Sequence, residues 1–81
     1  MTREDLIITV CTILNQEFAV PIVSVDWGTN LEELNLDSLD LLKLAVALEK
    51  EYNIKIQTPE LVQIQTFGDI IRGLEEKLGS K

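Results

Sequence analysis

Histidine is absent from this sequence, and cysteine occurs once, as Cys11. The commonest general acid–base side chain is therefore missing. A zinc site of the usual ligand types is excluded. No disulfide can form within the chain, which fits a reducing compartment. Bases are scarce as well: seven lysines and arginines stand against fourteen acids, for a net charge of −7 and a pI near 4.3. Such a field repels a phosphate backbone, so nucleic acid is not an expected partner. Partners with basic patches would be attracted, and their encounters accelerated at low salt. No apolar run approaches the roughly 20 residues of a membrane span. Met1-Thr2-Arg3-Glu4-Asp5 carries acids ahead of its apolar residues and does not look like a signal peptide. These absences predict a soluble, cytoplasmic, monomeric protein with no membrane span, poorly equipped to be an enzyme on its own.

What is present is apolar. A hydrophobic content of 46% is too high for a disordered acidic chain, and the length predicts one small domain over residues 1–81. A first helix is expected from about Arg3 to Gln16, capped by Thr2 with Asp5 at its third position. At 100° per residue Leu6, Ile7, Val10, Leu14 and Phe18 share one side of it, with Cys11 at the shoulder as a buried, inert thiol. From Glu17 to Leu36 the period fades. Ile22, Val25, Trp27, Leu31 and Leu34 are too many for a free linker and predict a long loop pinned onto the helices, with Trp27 as an anchor. A short helix is expected from about Pro59 to Ile64, and a last one capped by Thr66 with Asp69, buried through Phe67, Ile70, Ile71, Leu74 and Leu78 and ended by Gly79. The fold class is all-α: a small four-helix bundle of three longer helices and one short one, with a long ordered loop between the first two.

The second helix, about Ser38 to Glu51, carries the chemistry. Asp37 is a good N-cap and Asp40 adds a second acid to the first turn, where the helix dipole favours negative charge. Ser38 then stands at the helix entrance, where free amides make the position hospitable to a phosphate. A serine there is by itself ordinary helix-start chemistry. Leu41, Leu44, Leu48 and Tyr52 form a core stripe, while Leu39, Leu42 and Val46 form a second apolar stripe nearly opposite. That second stripe reads as an exposed docking surface, unless the long loop covers it.

The run Leu34-Asn35-Leu36-Asp37-Ser38-Leu39-Asp40-Leu41-Leu42 resembles the modification motif of acyl carrier proteins. Leu44 to Ile54 looks like that family's second helix, and Thr66-Phe67-Gly68-Asp69-Ile70-Ile71 is similar to the start of its last one. The resemblance covers nearly the whole chain. It implies a carrier with no catalysis of its own, in which Ser38 bears a 4'-phosphopantetheine arm taken from coenzyme A. That arm would hold acyl intermediates as thioesters for fatty-acid, polyketide or related specialised lipid synthesis. Asp37 would position the junction and meet a phosphopantetheinyl transferase. Leu39, Asp40, Leu42, Val46 and Glu49 would meet acyl-transfer, ketosynthase or acyl-activating enzymes. Leu48, Ile56, Leu61, Ile64 and Ile70 would line a pocket for the acyl chain.

Three departures from the family pattern stand out. Asn35 occupies a common glycine position, and asparagine tolerates positive φ, so a similar turn is expected. Leu36 replaces a frequent alanine. Lys43 and Lys50 replace acids frequent in fatty-acid carriers, which implies a specialised carrier with dedicated enzymes. Two other readings stay open at this point: an aminoacyl carrier of the D-alanyl or peptidyl type, and an unmodified acidic adaptor. A hydrolase using Ser38 as nucleophile lacks a histidine base.

Overall fold

A computed structural model describes residues 2–21 and 25–79; Ile22, one of the expected loop anchors, lies outside them. Helix α1 spans Arg3–Phe18, α2 Ser38–Tyr52, α3 Thr58–Leu61 and α4 Phe67–Gly79, with a single-turn 3-10 helix at Leu31–Leu34. The all-α bundle expected from the sequence is the fold observed, three longer helices and one short one. Helices α1, α2 and α4 bury Leu6, Val10, Leu14, Leu44, Leu48, Phe67, Ile70, Ile71 and Leu74 in one core. Cys11 joins that core, and burial pushes its thiol up from the ordinary range, which keeps it protonated and inert.

Local chemistry sets the helix starts. Thr2 Oγ1 accepts from the Asp5 amide at 3.2 Å while Asp5 Oδ2 accepts from the Thr2 amide at 3.3 Å, and Thr66 and Asp69 repeat the arrangement at α4. Each reciprocal pair satisfies two amides that the helix leaves without partners. Asp69 also accepts from the Gln65 amide at 3.0 Å and from Arg72 at 2.7 Å. The Gln65 bond first, with those from Thr66 and Arg72, holds its carboxyl below the usual aspartate range against the opposing effect of desolvation. Helix α1 ends where Ala19 turns left-handed, at φ 57°.

The long loop is sewn to the start of α4. The Leu31 amide donates to Gln65 O, the Phe67 amide to Thr29 O and the Gly68 amide to Trp27 O, at 2.9, 2.9 and 2.8 Å. Leu31 and Leu36 are buried, and Val25 and Leu34 pack against the core. Trp27 is an anchor of a different kind: its ring lies over Gly68 and under the Arg3 guanidinium, 4.6 Å from the centroid. Arg3 in turn grips Glu75 with two bonds of 2.7 and 2.8 Å, so α1, the loop and α4 are tied at one point.

Helix α3 differs from the sequence expectation of Pro59 to Ile64. It begins one residue earlier, at Thr58, with the Gln57 amide held by Glu60 Oε2 at 2.9 Å, and it stops at Leu61. Past Leu61 the bonding tightens to i→i−3 turns, the Gln63 amide to Glu60 O at 3.3 Å and the Ile64 amide to Leu61 O at 3.1 Å, before the Gln65 carbonyl accepts from Leu31.

Candidate functional site

The entrance of α2 is built from its two acids. Asp37 Oδ1 accepts from the Asp40 amide at 2.9 Å, and Asp40 Oδ2 accepts from the Asp37 amide at 3.2 Å. The chain reaches this cap through Asn35, left-handed at φ 63°, and Leu36, whose buried side chain and amide bond to Leu31 O fix the approach. Asn35 thus makes the turn expected of it. Ser38, the first residue of α2, is exposed. The Asp40 amide is bonded to Asp37, and the Leu41 amide donates to Asp37 O at 3.0 Å. The amides of Ser38 and Leu39 have no acceptor among the described residues. An accessible hydroxyl beside two free helix-terminal amides is a fitting seat for a phosphodiester.

Beyond Ser38 the two apolar stripes of α2 part company. Leu44 and Leu48 are buried and Leu41 and Tyr52 half-buried, whereas Leu39, Leu42 and Val46 are 66%, 45% and 48% exposed. The loop packs against α4 and leaves the second stripe uncovered. Asp40 is half-buried and engaged in the cap. Glu49 stands apart from the other residues expected on this surface: half-buried, its Oε2 accepts from the Ile56 amide at 2.8 Å and holds the segment after α2. The sequence shows no local sign of that bond, which depends on where the chain returns after Asn53.

Leu48, Ile56, Leu61, Ile64 and Ile70 come together around a cavity of about 350 Å³ between α2, α3 and α4. Its first α2 residue is Leu41, one helical turn past Ser38. Sequence reasoning missed the polar rim, where Lys77 pairs with Glu60 at 2.9 Å and Arg72 with Asp69 at 2.7 Å. It also missed Gly73, at which a Cβ would meet nothing within 4 Å. A glycine inside an otherwise strong amphipathic helix was the available signal for it.

The family profile described as "Phosphopantetheine attachment site" matches residues 9–74. An acyl carrier protein of Thermotoga maritima is 34% identical over 79 residues, covering 96% of this chain and 98% of that protein. One from Prochlorococcus marinus is 32% identical over 80 residues, covering 98% and 100%. The crystal structure of an acyl carrier protein from Thermotoga maritima superposes with a TM-score of 0.87 at 27% identity, covering 96% of this chain and 92% of that one. The chain therefore belongs to the acyl carrier protein family, carrier proteins of fatty-acid or related synthesis whose prosthetic group is a covalently attached 4'-phosphopantetheine. Among the described residues no helix is long and apolar enough to cross a membrane.

Proposed function

We propose that residues 1–81 form a single carrier domain in which Ser38 bears the arm and the cargo is acyl, and that the protein is a cytoplasmic, monomeric, non-catalytic shuttle in a specialised pathway. The observation that carries the acyl reading is the cavity whose wall includes Leu41, one turn past Ser38, and whose apolar lining is Leu48, Ile56, Leu61, Ile64 and Ile70. A small aminoacyl cargo has no use for such a lining. When bound, the phosphopantetheine supplies a flexible arm ending in a thiol that holds cargo as a thioester.

The chain's own residues do the rest. Asp37 and Asp40 lock the helix entrance so that the Ser38 hydroxyl faces solvent, within reach of a phosphopantetheinyl transferase. The Ser38 and Leu39 amides, without acceptors among the described residues, would offer donors to the negative charge of the phosphodiester. Leu39, Leu42 and Val46 offer the apolar contact surface for acyl-transfer, ketosynthase or acyl-activating enzymes. Glu49 serves that surface indirectly, by holding Ile56 and the cavity wall. Intact-mass measurement of protein purified from its own organism tests the cargo class: an acyl mass on the arm supports the reading, and an aminoacyl mass overturns it.

A further inference from the structure

The exposed face of α2 differs in charge from the rest of the molecule. At 100° per residue Leu42, Val46, Leu39, Lys50 and Lys43 fall within an arc of about 100°, and all five are exposed. No acid lies in that arc. Asp40 and Glu49 flank it, and their carboxylates already hold the amides of Asp37 and Ile56. Arg3, Arg72 and Lys77 are each paired with a carboxylate, whereas Lys43 and Lys50 form no ion pair among the described residues. A chain with twice as many acids as bases thus places two lysines, unpaired among the described residues, inside the arc of the exposed α2 stripe, with Asp40 and Glu49 at its margins. Keeping that stripe soluble requires charge of no particular sign, and acids are this chain's usual surface charge. The sign is therefore a property of what binds.

We infer that this face docks an enzyme surface in which an apolar groove is flanked by carboxylates. Leu39, Leu42 and Val46 would fill the groove, and Lys43 and Lys50 would meet the acids at its edge. Opposite charges there steer encounter and fix register, and an enzyme with a basic rim would be turned away by the same two lysines. This inference rests on the carrier reading of Ser38.

The test uses the full chain, first converted to the phosphopantetheinylated form and checked by intact mass. Its partner is an acyl-activating or acyl-transfer enzyme chosen because it loads the arm of the wild type. Lys43→Glu with Lys50→Glu should lower kcat/KM for loading about tenfold at low ionic strength, mostly through KM, and the loss should shrink at high salt. Lys43→Gln with Lys50→Gln should fall between the two, and circular dichroism should show the same helix content in all three. An unchanged or raised kcat/KM for the charge-reversed, fully modified protein overturns the acidic-partner inference and leaves the carrier reading intact. Failure of the wild type to accept the arm overturns both.

Discussion

The Gly68 amide donates to the Trp27 carbonyl at 2.8 Å, and a Cβ at Gly68 would lie 2.6 Å from Trp27 Nε1. The indole, itself under the Arg3 guanidinium, occupies the space a side chain would need. The close approach of Trp27 requires glycine in the first turn of α4. Gly68→Ala should therefore cost about 1–3 kcal/mol despite the better helix propensity of alanine. Urea denaturation measures it; a stability equal to wild type would mean that Trp27 moves aside freely.

Asp69 makes stability depend on pH. Its folded carboxyl lies below the ordinary value of 3.8, chiefly through the Gln65 amide. A depressed folded pKa gives stability that is fully present above the unfolded value and is lost as pH falls through the folded one. Asp69→Asn should cost about 1–2 kcal/mol at pH 7, and the gap from wild type should close as pH falls below about 4. Thermal melts across that range read both; a gap that persists in acid would locate the effect elsewhere.

Gly73 lines the cavity and offers a place from which to fill it. A leucine there adds bulk to a side of α4 where a Cβ meets nothing, and it removes a glycine from a helix interior. Gly73→Leu should raise the stability of the unmodified protein by up to about 1 kcal/mol. In the wild type, a medium-length acyl cargo should raise the melting temperature over the bare arm, since each buried methylene contributes about 0.8 kcal/mol. In Gly73→Leu that increment should largely vanish. An undiminished increment would show that the chain is held outside the cavity.

Ala19 marks a small local strain at the end of α1. Its left-handed φ of 57° crowds the Cβ, and its side chain is exposed. Ala19→Gly should stabilise the protein by up to about 1 kcal/mol. Differential scanning calorimetry checks the sign, and a lower melting temperature would mean that the added freedom of the unfolded chain outweighs the relieved strain.

The helices were legible because their starts are written locally: Thr2 with Asp5, Asp37 with Asp40 and Thr66 with Asp69 all form the reciprocal caps their spacing implies. The two stripes of α2 were legible for the same reason, since period alone separates Leu44 and Leu48 from Leu39 and Val46. What escaped depends on contacts distant in sequence. The bond from the Leu31 amide to Gln65 O joins the loop to the segment before α4, and neither stretch signals it alone. Glu49 reads as a surface acid until Ile56 returns to meet it. The fit of Gly68 to Trp27 joins two residues that look like an ordinary helix glycine and an ordinary loop anchor.

The attachment of the arm to Ser38 is tested most directly by mass. The wild type is incubated with coenzyme A and a broad-specificity phosphopantetheinyl transferase, and the product is measured intact and by peptide mapping. One phosphopantetheine should be added, on the peptide that contains Ser38, while Ser38→Ala should keep its helical circular dichroism and accept nothing. Modification that persists in Ser38→Ala, or a wild type that several transferases leave unmodified, would contradict the assignment.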